Sequence, residues 1–395
     1  MKRIGIITIT RGENYGNKLQ NYAVQEVLKK LGFETHTILN STKKGFNSPI
    51  SFFVKLKKLN PLYVLKVFKV RLKNKLFVKN SSDNILKSFF WEKKFRNEIR
   101  NIQDERVNAF SIFFKNYISQ SNFTISITDL KLKELNKYDY FVCGSDQIWN
   151  PNYPQNSMID FLQFATKSKR VAYAPSFGVN SIPNSKKKIY KKWLSEIPNL
   201  SVREDQGAEI IKELTGREVG VLVDPTLMLN KQEWLEIEEK PDLDIGKKYI
   251  LTYFLGNQIK RYKSFIQKVA KEYSCNIINL NDIHEMESYK VDPSEFLFLI
   301  NNAFLVCTDS FHGMVFSIIF NKEFIAFDRV EEGHSMSSRI ETLLNKFDLM
   351  NRHFKNIKNF DTISEINFRL VEDIIKIEQD KTYNFFYKVF DLKIK

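Results

Sequence analysis

Cysteine is scarce in this chain of 395 residues, and its scarcity excludes two kinds of protein. The three cysteines, Cys143, Cys275 and Cys307, form no CxxC pair and have no neighbouring histidine. Structural zinc sites and the disulfide frameworks of small secreted domains both depend on such spacings. We therefore expect three buried apolar thiols, with no metal and no cofactor.

Long apolar runs are also lacking. No stretch reaches the roughly 18 consecutive apolar residues that a membrane-spanning helix needs. The first apolar run begins at Ile4 and ends in a charged loop at Arg11, which is typical of a β-strand rather than of a signal peptide. We therefore expect a soluble protein of the reducing cytoplasm.

Acidic residues are absent from one long segment. Thr35–Ser82 contains 11 Lys and Arg and no Asp or Glu, whereas the rest of the chain has 50 basic and 46 acidic residues. The net charge of +15 is thus concentrated in one place, which indicates a single anionic surface and not a nucleic acid. Peripheral contact with an anionic membrane is one interpretation, and a solvated basic insertion is the other.

Hydrophobic side chains are plentiful, with 34 Phe and 16 Tyr, and suffice for two packed cores. Short apolar runs alternate with polar or glycine-containing turns, which predicts an α/β fold with two Rossmann-like parallel-sheet domains. We expect the first domain over 1–230, with a basic helical insertion at about 43–120. The second domain is expected over 247–350, followed by a helical tail, 351–395, that packs across both domains.

Several element boundaries can be predicted from periodicity. The chain is expected to begin with a strand over Arg3–Thr10 and a helix over Leu19–Leu31. A second helix is expected over Ile99–Ile118 in the insertion. Later in the chain, a strand over Phe304–Cys307 precedes a helix over Met314–Phe320.

Ligands of open parallel sheets bind beyond the carboxyl ends of the strands, so residues after each apolar run are the candidates for chemistry. After the first run, Asn17 and Lys18 stand at the start of a helix, where an anion is favoured. A plain glycine-containing turn is the alternative, since the loop matches neither GxGxxG nor GxxxxGK[ST].

The apolar run at Tyr140–Cys143 is followed by four candidate binding residues, Ser145, Asp146, Gln147 and Trp149. A carboxylate beside a flat aromatic ring suits sugar hydroxyls and ring faces, whereas capping of a helix is the alternative role for Asp146. Arg203, in LSVRED, could bind a carboxylate or a phosphate through two hydrogen bonds of its guanidinium. The alternative is an arginine that forms a salt bridge at the start of a helix.

The TDSFHG segment gives the sharpest candidate. It sets His312 at the N-terminus of a helix, with Ser310, Phe311 and Gly313 beside it, where a titratable base and an anionic ligand are both favoured. Asp242 and Asp244 form a DxD pattern that is typical of sites for metal-bound nucleotide sugars, but they lie in the stretch expected to link the domains and are interpreted as loop charges.

Six motifs in a fixed order resemble the polysaccharide pyruvyl transferase family over residues 3–345. They are NYGNKLQNYA, GSDQIWNP, AYAPSFG, SVRED, VDPT, and SFHG followed by SSRIETLL. The resemblance implies a GT-B-like pair of domains with the active site between them. It also implies formation of a pyruvate ketal from phosphoenolpyruvate and two hydroxyls of a sugar in a cell-surface glycan precursor.

The same resemblance implies roles for individual residues. His312 falls on the family's active-site histidine, and Arg203 falls on an arginine that binds phosphoenolpyruvate. Ser310 occupies a position that is commonly arginine, and its loss removes one expected bidentate contact with the donor. Arg329, Arg339 and Lys18 are the candidates to replace that arginine, and a divergent member with another donor is the alternative. Asp146 is expected to orient the hydroxyls of an oligosaccharide or lipid-linked acceptor.

Two other functions remain open from the sequence. A GT-B-type glycosyltransferase that uses a nucleotide sugar would share the architecture, because a fold does not fix a function. A non-catalytic glycan-binding relative would keep the cleft after losing donor binding at Ser310. Retention of Arg203 and His312 favours an enzyme.

Overall fold

The computed structural model describes residues 1–41, 96–330 and 337–393. Most of the basic Thr35–Ser82 segment, and with it the first part of the predicted helical insertion, lies outside the described residues. In the part that is described, no helix combines the length and the apolar character needed to span a membrane.

Seven parallel strands form the first sheet, in the order β3-β2-β1-β4-β5-β6-β7. Its strands are β1 Arg3–Ile7, β2 Glu34–Asn40, β3 Gln120–Ile125, β4 Tyr140–Cys143, β5 Arg170–Ala172, β6 Asn199–Val202 and β7 Gly220–Val221. Its helices are α1 Tyr15–Lys30, α2 Arg96–Tyr117, α3 Leu132–Leu135, α4 Asn184–Ser195 and α5 Asp205–Thr215. The strand order reverses between β1 and β4, so the loops after these two strands open a crevice.

Four parallel strands form the second sheet, in the order β11-β10-β8-β9. Its strands are β8 Tyr249–Tyr253, β9 Asn276–Leu280, β10 Leu305–Thr308 and β11 Phe324–Ala326. Its helices are α7 Lys260–Glu272, α8 Met286–Tyr289, α9 Pro293–Asn301, α10 Phe311–Ile319 and α11 Ser337–Lys346, while the short α6 Lys231–Leu235 precedes the sheet and α12 Phe368–Phe390 ends the chain. The reversal between β8 and β10 opens a second crevice, which the loop before α10 enters.

These two parallel sheets confirm the predicted α/β class with two Rossmann-like domains in a GT-B-like arrangement. The C-terminal helix is also present: Phe390 of α12 packs against Phe33, and Phe386 packs against Tyr173 in the first domain. Domain boundaries at 230, 247 and 350 stay predictions.

Three predicted boundaries were wrong by three or four residues. β1 ends at Ile7 rather than at Thr10, α1 begins at Tyr15 rather than near Leu19, and α10 begins at Phe311 rather than at Met314. Both helices start early because polar side chains cap them. The Asn14 side chain accepts from the backbone N–H of Asn17, and the Ser310 hydroxyl accepts from that of Gly313.

One continuous apolar cluster joins the two domains. Tyr15, at the start of α1, stacks on Phe296 of α9 with ring centroids 4.3 Å apart, and its hydroxyl donates to the carbonyl of Val291 at 2.9 Å. Arg106 of α2 donates to the Tyr15 hydroxyl at 3.2 Å and to the carbonyl of Tyr289 in the second domain. The insertion helix thus fastens the first domain to the second close to the start of α1.

Candidate active site

Asp224 is the centre of a buried polar cluster between the two sheets. Its side chain is fully buried and accepts hydrogen bonds from the Ser145 hydroxyl at 2.6 Å, Arg203 Nη1 at 2.7 Å and the Thr226 hydroxyl at 2.7 Å. His312 Nε2 approaches the same carboxylate at 3.5 Å. Burial raises the pKa of Asp224, but His312, Arg203 and Ser145 outweigh it and hold that pKa well below its usual range.

Arg203 lies among three carboxylates. Besides Asp224, Asp146 lies 3.5 Å from Nη2 and Glu204 lies 3.9 Å from Nε. Burial lowers the pKa of Arg203, but these carboxylates outweigh it and raise that pKa. The Phe311 ring covers the guanidinium at 4.2 Å, a favourable cation–π distance, and leaves the side chain 1% exposed.

His312 is held from both sides. Its Nε2 faces Asp224, while Gly16 of α1 packs against the opposite side of the imidazole. A Cβ added at Gly16 would lie 2.7 Å from the imidazole Cε1 and nearer still to Nδ1 and Cγ. Only a glycine in the first turn of α1 therefore permits the two domains to meet at this histidine.

Several donors in the cluster have no hydrogen-bond partner among the described residues. They are Nε and Nη2 of Arg203 and Nε2 of His312. Leaving a buried donor without a hydrogen-bond partner costs about 1–3 kcal/mol. An anion with several acceptor oxygens would satisfy them.

A second buried arginine lies beside the cluster. Arg339 of α11 faces the Gln147 amide, which is 2.9 Å from its Nη1. Burial, reinforced by the nearby charge of Arg203, lowers the pKa of Arg339 to about 10. The side chain is still a cation at neutral pH, and it supplies positive charge close to Arg203.

The structure brings most of the predicted residues together. Ser145, Asp146, Arg203, Phe311 and His312 belong to the Asp224 cluster. Gln147 and Arg339 lie beside it.

Trp149 is a correction, because its ring has no exposed surface on which a sugar could stack. It packs face to face on Phe161 at 5.1 Å, and its indole N–H donates to the carbonyl of Asp160 at 2.9 Å. The tight turn after β4 directs this side chain into the core and Asp146 towards the cluster, with a positive φ of 70° at Asp146.

Asn17 and Lys18 line a different space. They border a cavity of about 760 Å³ at the carboxyl ends of β1 and β4, whose lining includes neither Arg203 nor His312. Ser310 and Gly313 contribute through the helix cap described above. In the part of the chain that the structure covers, no group of three or more His, Cys, Asp or Glu is placed to hold a metal ion.

A family model places this geometry in a known context. The model of the polysaccharide pyruvyl transferases matches residues 14–329, most of the chain. The chain belongs to this family. As a pyruvyl transferase family member it is a transferase of polysaccharide pyruvylation, and the match includes the Asp224 cluster. No curated protein matches its sequence.

Solved structures resemble this pyruvyl transferase family member only distantly. The MnaA–UDP complex of S. aureus is 11% identical with a TM-score of 0.42, and the alignment covers 100% of this chain and 98% of that one. A glycosyltransferase from Rickettsia africae is 11% identical with a TM-score of 0.44, covering 99% and 100%. The UDP-GlcNAc 2-epimerase of Methanocaldococcus jannaschii, in complex with UDP-GlcNAc and UDP, is 14% identical with a TM-score of 0.39, covering 95% and 99%.

Sequence reasoning did not select two residues of the candidate active site. Asp224 stands directly after the apolar run of VGVLVDPT, so the same strand-end rule that selected Asp146 would have selected it. Gly16 gave no comparable signal, because its role depends on the approach of His312 from the other domain.

Proposed function

We propose that the protein transfers pyruvate from phosphoenolpyruvate onto two hydroxyls of a sugar in a cell-surface polysaccharide precursor, forming a pyruvate ketal. The observation that carries this proposal is the set of buried donors on Arg203 and His312 that lie near carboxylates but make no hydrogen bond to a described residue. Such donors fit the carboxylate and phosphate of a small anionic donor.

Arg203 and His312 have different roles in this proposal. Arg203 cannot release its proton at any working pH, so it contributes charge to bind the donor and to stabilise the transition state. His312 Nε2 lies 3.5 Å from Asp224 and makes no hydrogen bond to a described residue, so we propose that this nitrogen exchanges a proton with the substrate, since Gly16 covers Nδ1. We propose that Asp146, which faces Arg203 through one oxygen, orients the acceptor hydroxyls with the other.

The reaction balances with one proton shuttle. The first sugar hydroxyl adds to C2 of phosphoenolpyruvate, and a proton is delivered to C3, which becomes the methyl group. The second hydroxyl then attacks C2, its proton is removed, and inorganic phosphate leaves. No metal or cofactor takes part in this proposal.

We also propose that the protein works at the cytoplasmic face of the membrane, where an anionic surface would attract the basic Thr35–Ser82 segment. Each basic residue near such a surface contributes about 1 kcal/mol. Co-sedimentation with anionic vesicles at low and physiological salt tests this, and absence of binding at both salt concentrations would remove the idea.

The donor is tested by thermal unfolding with phosphoenolpyruvate and, separately, with a panel of nucleoside diphosphate sugars. A ligand at 100 times its dissociation constant adds about 2.7 kcal/mol of stability. Stabilisation by the nucleotide sugars and not by phosphoenolpyruvate would refute pyruvyl transfer and favour a glycosyltransferase. Stabilisation by neither would favour a non-catalytic glycan-binding protein.

Substitutions then separate the two roles. Arg203→Ala should weaken phosphoenolpyruvate binding, whereas His312→Ala should lower turnover by about 100- to 10,000-fold with donor affinity nearly unchanged. His284→Ala, at an exposed loop position, is the matched control and should leave both quantities unaltered. Near-normal turnover by His312→Ala would exclude this histidine from the chemistry.

A further inference from the structure

The cavity beside α1 lies at the strand-order reversal of the first sheet. Its volume is about 760 Å³, within the range of small-molecule binding sites. One side is formed by the loop after β1 and the first turn of α1, and the other by the loop after β4 and by α2. In parallel α/β sheets this is the usual position of a ligand.

Lys18 is a buried cation in the wall of this cavity. It is 5% exposed, its Nζ donates to the carbonyl of Thr10 at 2.5 Å, and it lies 4.7 Å from the centre of the Phe114 ring. Among the residues that the structure describes, no carboxylate forms an ion pair with it. An ammonium group has three donors, so two remain for a ligand.

Lys18 remains protonated at neutral pH although it is buried. Burial lowers the pKa of the ammonium to about 8, partly offset by the carboxylate of Glu13, so the group remains mostly protonated at pH 7. Arg11 adds a second cation to the lining. Of the two acidic residues there, Asp160 accepts from the backbone N–H of Ser157 in a capping box, while Glu13 is exposed.

The remaining lining suits a sugar. Asn17 and Gln155 present amides that make no hydrogen bond to any other described residue. Tyr153 presents a ring that is 38% exposed. Amides that can donate and accept, next to an aromatic face, match the hydroxyls and ring faces of carbohydrate.

The cavity and the catalytic histidine share the first turn of α1. Asn17 lines the cavity, and its neighbour Gly16 touches the imidazole of His312. The cavity and His312 therefore contact neighbouring residues of the same helical turn.

We propose that this cavity binds the part of the saccharide acceptor beyond the hydroxyls that Asp146 orients, and that Lys18 binds an anionic group, a phosphate or a carboxylate, on that saccharide. This assignment rests on the proposed function, in which Arg203 and His312 take the donor. Since neither of them borders the cavity, the anion at Lys18 is distinct from phosphoenolpyruvate.

Binding to the full chain, measured without any donor, tests the assignment. The probes are glucose 1-phosphate, glucuronate, neutral glucose and phosphoenolpyruvate, observed by saturation-transfer NMR and calorimetry. Lys18→Met should weaken binding of an anionic sugar by about 10- to 100-fold, the usual loss for a charged hydrogen bond, and leave glucose binding unchanged. Lys29→Met, at an exposed position of the same helix, is the matched control and should change nothing.

A second variant tests the same site in case Lys18→Met does not fold. Asn17→Asp places a negative charge in the first turn of α1, which stabilises a helix, but sets it against an anionic ligand in the cavity. It should melt no lower than the wild type and still bind anionic sugars about 10-fold more weakly.

The outcomes separate this inference from the proposed function. Preference for glucose 1-phosphate assigns a phosphate to the acceptor, and preference for glucuronate assigns a carboxylate. Lys18-dependent binding of phosphoenolpyruvate, equal binding by Lys18→Met and wild type, or no binding of any sugar at millimolar concentration would overturn the assignment. Because no donor is needed, a failure of pyruvyl transfer would leave the sugar-binding result intact.

Discussion

Gly16→Ala tests whether the meeting of α1 with His312 positions the imidazole. The added Cβ would lie 2.7 Å or less from three ring atoms, whereas ordinary contact begins at 3.4 Å. The backbone of α1 is fixed by the stacking of Tyr15 on Phe296. The ring must therefore move on the order of 1 Å, a displacement that typically costs about 100-fold in rate.

Two opposing effects set the change in stability. Alanine is favoured over glycine in a helix by about 1 kcal/mol, whereas overpacking of a tight interior costs about 1–3 kcal/mol. We expect Gly16→Ala to lower the free energy of unfolding by about 0–2 kcal/mol, while kcat falls far more than this small loss would explain.

A double-mutant cycle with His312→Ala isolates the contact, measured by urea unfolding. Once the ring is gone, the alanine at position 16 should stabilise the protein by its helix preference, giving a coupling of about 1–3 kcal/mol. Gly220→Ala is the control, because a Cβ there would meet nothing within 4 Å. Additivity of Gly16→Ala and His312→Ala within about 0.5 kcal/mol would refute the contact.

Three further changes probe the surrounding structure. Asp224→Asn should cost about 3–5 kcal/mol because it leaves Arg203 undercompensated. The pKa of Asp224 in the native state lies below its ordinary 3.8. The stability that this carboxylate contributes is therefore complete above pH 4 and is lost as the pH falls further. The free energy of unfolding should accordingly fall less steeply with acid in Asp224→Asn than in the wild type. Ser310→Arg removes the cap on Gly313 and should lower the melting temperature through a loss of about 1 kcal/mol, without improving phosphoenolpyruvate binding. Arg106→Met removes the hydrogen bond from the first domain to the carbonyl of Tyr289 in the second, and faster proteolysis at low denaturant should report the loosened interface.

The fold was largely predictable because apolar periodicity records which elements are buried. The helix expected over Ile99–Ile118 is present as Arg96–Tyr117, and both sheets follow from the apolar runs. The starts of α1 and α10 were misplaced because Gly16 and Gly313 read as loop residues. Asn14 and Ser310 are the caps that extend each helix over them.

The direction of a side chain after a strand was not predictable. Trp149 and Asp146 follow the same strand, yet the first fills the core and the second joins the polar cluster. The strand-end rule locates the crevice of one sheet but does not say which side chains a turn directs into it. A large apolar ring is usually buried in the core unless a partner covers it, and the Trp149 ring is buried in this way.

The candidate site forms where the two domains contact each other, and the strand-end rule, which applies to one sheet at a time, does not predict that contact. Asp224 and Gly16 belong to the first domain and contact His312 of the second. The first domain alone supplies the Arg203–Asp224 ion pair, whereas His312 comes with α10 of the second domain. Because Tyr15 and Arg106 bind the second domain beside this point, the packing that closes the interface also brings His312 to Asp224. If the proposed roles are right, weakening that packing should reduce turnover before it reduces donor binding.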